Sequence, residues 1–444
     1  MNSGPMSTTT TTPGRRYVVR PARSVQGEIN VPGDKSISHR SLMLGGIAEG
    51  QTCISGFLAS EDCLATLAAL RALGVFIERP QQTEVRVHGV GRDGLKGAPR
   101  PLDMGNAGTA IRLLTGLLAG QRFDSTLIGD ASLMRRPMER VAAPLRAMGA
   151  RIDTDGGKPP VRIHGGTALR GIDYALPMAS AQVKSALLLA ALYAKGTSSV
   201  TEPAPTRDHT ERMLRGFGVD VASDTGRVSL AGGQRLRGYE IEVPGDFSSA
   251  AFFIVAGCLA ARDGLTIRNV GVNPTRTGLL TMLRLMGAEI ELQPHRGEAP
   301  EPVADIHVRA SALRGIRVPE ALVPLAIDEF PAFFIAAAAA DGETLVTGAA
   351  ELRVKESDRL AAMAAGLAAL GIECELLPDG LRIKGGAMRG GRIDSHGDHR
   401  IAMAFAVASL LASDPIEIND VANVATSFPG FPGLARAAGL TLED

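Results

Sequence analysis

One short segment, repeated six times, decides the fold. Its first copy is LRALGVFIE at residues 70–78, where a helix-like run ends in an apolar residue and Gly and a strand-like stretch follows. The other copies are LRAMGARID at 145–153, LRGFGVDV at 214–221, LRLMGAEIEL at 283–292, LAALGIECEL at 367–376 and LARAAGLTL, one residue longer, at 434–442. Their glycines are 68 to 84 residues apart, a period that indicates one supersecondary unit used six times. We predict that each glycine adopts the left-handed conformation that closes a helix.

A second repeat divides the chain into two halves. VPGDKS at residues 31–36 recurs as VPGDFS at 243–248, each after a strand-like run and before an apolar helix, expected over 36–47 and 248–261. Pro and Gly indicate a turn at both places, and Asp or Ser can cap the helix that follows. Three of the six units lie between the copies and three follow the second. This arrangement favours two similar domains over the alternative of two unrelated turns.

The predicted domains are residues 34–243 and residues 16–31 together with 246–444, with hinges near 31–34 and 243–246. Residues 1–15 contain no apolar run of signal-peptide type and are predicted to form a disordered leader. Each unit is expected to contain two helices and several strands. In the second unit, the apolar spacing predicts helices over 109–118 and 137–148 and strands over 125–128 and 161–164.

The bulk composition narrows the functional classes. The 444 residues include 47 Lys plus Arg and 47 Asp plus Glu, so the net charge gives no support to nucleic-acid or anionic-membrane binding. The most apolar run, 331–340, is too short to cross a bilayer. The cysteines lie in apolar runs without metal-ligand spacing, which predicts small buried residues in a reducing compartment such as the cytoplasm: Cys53, Cys63, Cys258 and Cys374.

The polar residues are concentrated at predicted helix starts. The segments are GDKSISHR at 33–40, GNAGTAIR at 105–112, RRP at 135–137, ASAQVK at 179–184, TRDH at 206–209, IDEF at 327–330, KESDR at 355–359 and SHGDHR at 395–400. Singly, each has an ordinary explanation as a helix cap, solvated arginines or a surface salt-bridge ladder. Asp34 and the glycine spacing exclude a P-loop at the first segment. A metal site at His396 and His399 is disfavoured because these residues straddle a Gly and lack the HExxH frame.

Together these segments predict one anion-binding cleft. Cations and two carboxylates are expected at helix N-termini: Lys35, Arg40, Arg136, Arg207, Lys355, Arg359 and Arg400, with Asp328 and Glu356 among them. If these helix starts face a cleft between the two domains, their charges and helix dipoles add there. Such a cleft would bind a small molecule that carries several negative charges.

The chain resembles the 5-enolpyruvylshikimate-3-phosphate synthases of the enolpyruvyl transferase family. In family order the matching segments are GDKSISHRS, GNAGTAIR, GDASLMRRPMERV, PMASAQVKSALLLA, TRDHTERML, PGDFSSAAF, NPTRTG, IDEFP, ELRVKESDRL and DHRIAM. The resemblance implies an α/β fold of two similar domains, each with three βαβαββ units arranged like an inverse α/β barrel, and an active site in the interdomain cleft. It also implies transfer of the enolpyruvyl group of phosphoenolpyruvate to the 5-hydroxyl of shikimate 3-phosphate, with release of phosphate, on the route to chorismate and aromatic amino acids.

The resemblance further implies the ligands of each substrate. Shikimate 3-phosphate would be held by Lys35, Ser36, Arg40, Ser180, Ala181, Gln182, Arg207, Asp328 and Lys355. Phosphoenolpyruvate would be held by Lys35, Gly108, Arg136, Gln182, Arg359 and Arg400. Asp328 would deprotonate the 5-hydroxyl, and Lys35 and Glu356 are the candidates for proton transfer at the methylene. No cofactor and no metal are required, glyphosate would compete with phosphoenolpyruvate, and a monomer is expected.

Three observations bear on variants and rivals of this family. Thr426 stands where some members carry a Lys before a late Thr-Phe-Pro motif, and it is assigned no role. The sister enzyme that acts on UDP-N-acetylglucosamine uses a loop Cys, and residues 132–138 contain none. A catalytically silent relative would lack Asp328, Glu356 or one of the arginines, and all are present in this chain.

Overall fold

The computed structural model describes residues 15–295 and 300–444. The predicted leader therefore lies outside the described residues, except for Arg15, whose carbonyl accepts a hydrogen bond from the amide of Val421 at 3.1 Å. Within the two described ranges, every helix is too short or too polar to cross a membrane.

The helices are α1 (Lys35–Ile47), α2 (Glu61–Ala72), α3 (Gly108–Ala119), α4 (Glu139–Ala147), α5 (Ala181–Ala191), α6 (His209–Gly216), α7 (Phe247–Ala260), α8 (Gly278–Leu285), α9 (Phe330–Ala339), α10 (Arg359–Ala369), α11 (His399–Ala408) and α12 (Phe431–Ala438). Short 3-10 turns cover Leu133–Arg135, Glu320–Leu322, Ala350–Val354 and Ala422–Thr426.

The strands of the first part of the chain are β1 (Arg16–Arg20), β2 (Gly27–Asn30), β3 (Glu49–Ser55), β4 (Phe76–Gln81), β5 (Glu84–Val90), β6 (Leu102–Asp103), β7 (Ser125–Ile128), β8 (Arg151–Asp155), β9 (Lys158–His164), β10 (Asp173–Ala175), β11 (Thr197–Thr201), β12 (Val221–Asp224), β13 (Arg227–Ala231) and β14 (Glu240–Glu242). Those of the second part are β15 (Leu265–Gly271), β16 (Glu289–Pro294), β17 (Val303–Arg309), β18 (Glu343–Val346), β19 (Glu373–Leu377), β20 (Gly380–Lys384), β21 (Gly391–Asp394), β22 (Ile416–Asn419) and β23 (Thr441–Glu443).

These strands form six small sheets, one for each repeat. Three have the orders β14-β3-β5-β4, β6-β7-β9-β8 and β10-β11-β13-β12, and three have the orders β16-β17-β15-β2, β18-β20-β19 and β21-β22-β1-β23. In the complete sheets a parallel pair adjoins an antiparallel hairpin, which is the βαβαββ unit. In the fifth repeat the leading strand is reduced to isolated bridges from Arg314 to Asp341 and from Arg317 to Leu345.

The sheets lie outside buried helices. The helix α9, with the sequence FPAFFIAAAA, is apolar on every side, and α7 and α11 are almost as apolar, so all three bury themselves against one another. In the same way α3 packs against α1 and α5. One hydrophobic core is built from residues between Ile37 and Val243, and the other from Tyr17 to Val31 together with Phe247 to Leu442. We call the parts around these cores the first and second domain; the two-domain α/β architecture of the prediction is confirmed.

The glycines of the six repeats adopt the predicted left-handed conformation. Their φ angles lie between 82° and 113° and belong to Gly74, Gly149, Gly218, Gly287, Gly371 and Gly439. Only glycine enters this region without a steric penalty, so each one ends its helix and turns the chain into the next strand.

The two Val-Pro-Gly-Asp segments pair with each other where the chain passes between the domains. The amide of Asp34 donates to the carbonyl of Pro244, and the amide of Asp246 donates to that of Pro32, both at 2.8 Å. The side chain of Asp34 caps α1 and that of Asp246 caps α7, as predicted. A Cβ at Gly33 would lie only 1.8 Å from a backbone oxygen of Gly56, so this crossing requires glycine.

Several predicted details need adjustment. The helices predicted over 109–118 and 137–148 cover Gly108–Ala119 and Glu139–Ala147. The strand β7 is as predicted, whereas β9 begins at Lys158 because its Pro-containing start still pairs with β8. Cys63 and Cys258 are buried, but Cys53 and Cys374 are half-buried, because each lies on a strand near the edge of its core.

Candidate active site

A cavity of about 460 Å³ lies between the two domains. Thirteen of the fourteen predicted site residues line it: Lys35, Ser36, Gly108, Arg136, Ser180, Ala181, Gln182, Arg207, Asp328, Lys355, Glu356, Arg359 and Arg400. In all, nine Lys or Arg side chains and five Asp or Glu side chains contribute to the lining. This excess of cations suits a ligand with several negative charges.

Arg40 is the predicted residue that lies elsewhere. It is on the second turn of α1, behind the cavity wall, and is 4 % exposed. Its guanidinium donates to the carbonyl of Ser36 at 2.9 Å, to Thr210 Oγ1 at 2.7 Å and to Ser185 Oγ at 2.8 Å. Burial lowers its pKa to about 10. Arg40 therefore fixes the backbone that presents Ser36, and the prediction that it sits at a helix N-terminus is wrong.

Helix starts position many of the other groups. Lys35 and Arg359 are the first residues of α1 and α10, and Arg400 is the second of α11. Ser180 caps α5 by accepting a hydrogen bond from the amide of Val183. The amides of such helix starts and their dipoles favour anions.

Three predicted cations lie in turns just before helices. Arg136 precedes α4, Arg207 precedes α6 and Lys355 precedes α10. The segment 355–359 was expected to open a helix, but α10 begins only at Arg359, because Asp358 caps it there by accepting from the amide of Ala361. The prediction of helix-terminal cations is thus correct for three residues and approximate for these three.

Asp328 is surrounded by cations. Its carboxylate forms an ion pair with Arg207, and it lies 3.4 Å from Nη1 of Arg359, 3.7 Å from Nζ of Lys355 and 3.9 Å from Nη2 of Arg400. Burial opposes ionisation, but these four charges outweigh it and hold the pKa of Asp328 well below its usual range. Asp328 is therefore ionised and able to accept a proton.

Glu356 is held between two arginines. Its Oε1 lies 3.2 Å from Nη1 of Arg136 and its Oε2 lies 2.6 Å from Nη2 of Arg359. Burial raises the pKa of Glu356, but Arg359 and Arg136 outweigh that effect and hold it well below its usual range. Since Arg359 is 1 % exposed, the alternative of a solvated surface ladder at 355–359 is wrong.

The start of α3 forms one wall. A Cβ at Gly108 would approach Nη1 of Arg136, so the glycine leaves room for that side chain.

The sequence interpretation missed Arg112, which lies one turn further along the same face and donates to Oε1 of Gln182. In turn Nε2 of Gln182 donates to Thr109 Oγ1 at 3.0 Å. Burial, followed by the neighbouring arginines, lowers the pKa of Arg112 to about 10. The i, i+4 spacing from Gly108 was the signal that could have identified it.

Other lining residues carry no local sequence signal. Asp62, at the start of α2, contacts Nζ of Lys35 at 3.0 Å, and burial raises the pKa of Asp62. Arg140 of the first domain contacts Glu351 of the second domain at 2.9 Å. Arg276 is a further lining residue of this kind. Each looks like an ordinary helix or loop residue until a distant segment is packed against it.

Two residues singled out in the sequence, His396 and Thr426, lie apart from this arrangement, whereas His399 lines the cavity. His399 is buried and His396 is exposed at φ 52°, so their rings do not converge. Thr426 is buried in the last 3-10 turn, where its hydroxyl donates to the carbonyl of Asn423 at 2.7 Å.

Known proteins share this architecture and these segments. The family model described as EPSP synthase (3-phosphoshikimate 1-carboxyvinyltransferase) matches residues 19–434. A 3-phosphoshikimate 1-carboxyvinyltransferase from Methylococcus capsulatus is 62% identical over 428 residues, which cover 96% of this chain and 98% of that protein. One from Xanthomonas campestris is 59% identical and covers 97% and 98% of the two chains.

Solved structures agree with the sequence comparisons. A structure of EPSP synthase from Acinetobacter baumannii superposes with a TM-score of 0.86 at 55% identity. It covers 96% of this chain and 99% of the other. The cation-lined cleft, the sixfold repeat and these similarities lead to one conclusion: the chain belongs to the EPSP synthase family.

Proposed function

We propose a residue-by-residue assignment for the reaction that this chain catalyses. As an EPSP synthase, it transfers the enolpyruvyl group of phosphoenolpyruvate to the 5-hydroxyl of shikimate 3-phosphate and releases phosphate, in the shikimate pathway. The observation that carries the assignment is the gathering of thirteen motif residues, from eight distant segments, around one cavity.

Shikimate 3-phosphate would occupy the side of the cavity near α1 and α5. Its ligands would be Lys35, Ser36, Ser180, Ala181, Gln182, Arg207, Asp328 and Lys355. Arg40 would contribute indirectly, through the carbonyl of Ser36 that it holds. Arg207 and Lys355 contact Asp328, so an anionic substrate that binds them competes with that carboxylate. The pKa of Asp328 would then rise, which makes it a stronger base for the 5-hydroxyl.

Phosphoenolpyruvate would bind between α3, α10 and α11. Its phosphate and carboxylate would be held by Lys35, Gly108, Arg136, Gln182, Arg359 and Arg400. Arginine suits both groups because its planar fork binds two oxygens at once. The missing side chain of Gly108 leaves the room that the guanidinium of Arg136 occupies.

The chemistry would proceed by acid–base catalysis. Lys35 would deliver a proton to the methylene carbon, and Asp328 would remove the proton of the attacking 5-hydroxyl. The resulting tetrahedral intermediate would lose phosphate and a methyl proton to form the enol ether. Glu356, whose carboxylate is ionised between Arg136 and Arg359, would accept that methyl proton. Acid–base groups of this kind raise the reaction rate roughly 10²–10⁴-fold. Holding two substrates in the reactive orientation corresponds to effective molarities of about 10⁵–10⁸ M.

Three further properties are part of the proposal. The separate cores support domain bounds of 34–243 and of 16–31 with 246–444, and the paired crossings support hinges at 31–34 and 243–246. The free cysteines support a reducing compartment, the cytoplasm. A monomer is supported because the described residues expose five large apolar side chains, each on a different segment, and two of them, Met178 and Val354, line the cavity.

Phosphate release tests the function. The enzyme is incubated with phosphoenolpyruvate and either shikimate 3-phosphate or UDP-N-acetylglucosamine, and phosphate and the enol ether product are quantified. We expect turnover when the second substrate is shikimate 3-phosphate and none when it is UDP-N-acetylglucosamine. The reverse result would refute the assignment.

A further inference from the structure

Arg276, which the predicted set does not include, connects both chain crossings. It is 3 % exposed and belongs to the second domain, two residues before α8. Its Nη1 donates to Asp34 and its Nη2 donates to Ser248 Oγ at 2.6 Å. The same Nη2 lies 3.6 Å from Asp246 Oδ1 and 3.7 Å from Glu329 Oε1.

The first two carboxylates in this group fix the start of α1. Asp34 caps α1 by accepting from the amide of Ile37 at 2.9 Å. Asp246, from the other crossing, accepts from the amide of Lys35 at 3.0 Å. The backbone of Lys35, the residue assigned to both substrates, is therefore held by carboxylates from both crossings. Arg276 is the cation that contacts both carboxylates.

The third carboxylate belongs to the start of α9. Glu329 follows Asp328 in the chain, and Ser248 donates to its Oε1. The Arg276 guanidinium contacts both Ser248 and Glu329. It therefore supports the segment that presents Asp328, the proposed base. A single side chain thus contacts the supports of both Lys35 and Asp328.

Charge and shape explain why an arginine stands here. Asp34, Asp246 and Glu329 are all buried, and buried carboxylates are costly unless they are paired and hydrogen-bonded. Arginine offers five donors in a rigid fork, whereas lysine offers a compact charge that reaches fewer partners. Replacing Arg276 would release three carboxylates to repel one another between the two crossings.

We propose that Arg276 is a positioning residue for the transfer reaction, holding the start of α1 with Lys35 in register with the start of α9 with Asp328. This inference rests on the proposed roles of Lys35 and Asp328. Arg276 needs no contact with the reacting atoms for this role. A misplacement of about 1 Å of such groups costs on the order of 100-fold in rate.

Chemical rescue of Arg276→Ala is the test. The substitution leaves a space shaped for a guanidinium and lined by carboxylates. We expect kcat per folded molecule to fall about 100-fold. Guanidinium chloride at about 50 mM, far below denaturing concentrations, should restore part of the lost kcat. Sodium chloride at the same ionic strength should not restore it. Arg284→Ala is the matched control, because Arg284 is exposed on α8 and, among the described residues, its side chain donates to the carbonyl of Ile290 alone.

A purely structural role predicts a different result. The melting temperature of Arg276→Ala would fall, kcat per folded molecule would stay near that of the wild type, and guanidinium would only destabilise the variant further. Either an unchanged kcat or the absence of rescue in the folded variant would overturn the proposal.

A second variant keeps the inference testable if Arg276→Ala does not fold. Arg276→Lys retains the charge but not the fork, so we expect a folded enzyme with reduced kcat and a changed KM for both substrates. Full activity of Arg276→Lys would overturn the proposal. Inactivity of the wild type with shikimate 3-phosphate would instead show that the proposed function is wrong.

Discussion

Nη1 of Arg136 occupies the space next to Gly108 that an alanine side chain would need. An ideal Cβ built on Gly108 comes within 2.6 Å of that nitrogen, far inside van der Waals contact. Arg136 is not free to move away, because Nη2 donates to Asn106 at 2.7 Å and Nη1 contacts Glu356 at 3.2 Å. The size of residue 108 therefore controls where the guanidinium of Arg136, a proposed ligand of phosphoenolpyruvate, lies.

Gly108→Ala should weaken glyphosate more than phosphoenolpyruvate. The added methyl displaces Arg136 and narrows the pocket, and glyphosate is the longer of the two ligands. Overpacking of about 1–3 kcal/mol corresponds to an increase of roughly 5- to 150-fold in the inhibition constant. The phosphoenolpyruvate KM should also rise, because the shift of Arg136 affects both ligands. The factor should be smaller, because phosphoenolpyruvate is the shorter ligand. Competitive inhibition of the wild type and the variant gives both constants; an equal rise of the two would contradict the steric explanation.

Asp328→Asn and Glu356→Gln should each lower kcat by roughly two to four decades, as expected for lost general acid–base groups. Substrate binding should survive, because the surrounding arginines lose a competing carboxylate. Steady-state rates and calorimetric titration with shikimate 3-phosphate separate the two effects. Glu343→Gln, at a half-exposed surface ion pair with Arg382, is the control. Near-normal turnover of both active-site variants would remove these residues from the mechanism.

The pair between Arg140 and Glu351 should help to close the cleft. It joins the two domains at 2.9 Å, and Glu351 also lies 3.9 Å from Lys355. We expect Arg140→Met and Glu351→Gln each to increase the radius of gyration in small-angle scattering. The exchanged variant with Arg140→Glu and Glu351→Arg should return to the radius of gyration of the wild type. A double-mutant cycle on the free energy of unfolding should give a coupling energy of roughly 0.5–1 kcal/mol. Additive effects, without recovery in the exchanged variant, would mean that the contact carries no closing force.

Stability should fall as the pH drops below neutrality because of His39 and His399. Both are buried, and burial, followed by nearby cations such as Lys35, holds their pKa well below the usual range. The unfolded chain then takes up protons near pH 6.5 before the folded chain does, so folding stability decreases below that pH. Each histidine contributes a slope of about 1.4 kcal/mol per pH unit until its folded pKa is reached.

Thermal unfolding between pH 5 and 8 measures that slope. His39→Gln should flatten it, since the glutamine can keep a hydrogen bond to Thr66, which contacts Nδ1 of His39 at 2.8 Å. His396→Gln is the control, because His396 is exposed. If the slope of His39→Gln equals that of the wild type, protonation of His39 does not limit stability in this range.

Local patterns in the chain determined the repeat, the two similar domains and the cations expected around a cleft, and the family resemblance added the individual substrate ligands. A glycine such as Gly74 ends a helix because only it adopts φ 89° without strain, and Asp34 caps α1 because its side chain reaches the next amides. These are interactions between near neighbours, so composition and spacing reveal them. The segments of Lys35 and Arg359 were identified because cations at helix starts suit an anionic ligand, and that of Asp328 because a carboxylate beside an apolar helix is costly unless it is paired.

Only the tertiary structure decided how distant segments meet. The strands β2 and β14 pair across the crossings with β15 and β3, and β1 completes the sheet of the sixth repeat from the opposite end of the chain. Arg40 turned out to bind Ser185 and Thr210 behind the cavity wall, and Arg276 turned out to join Asp34, Asp246 and Glu329. The partners in these contacts are separated by tens to hundreds of residues, and their energies depend on burial and mutual geometry, which exist only once both domains have packed.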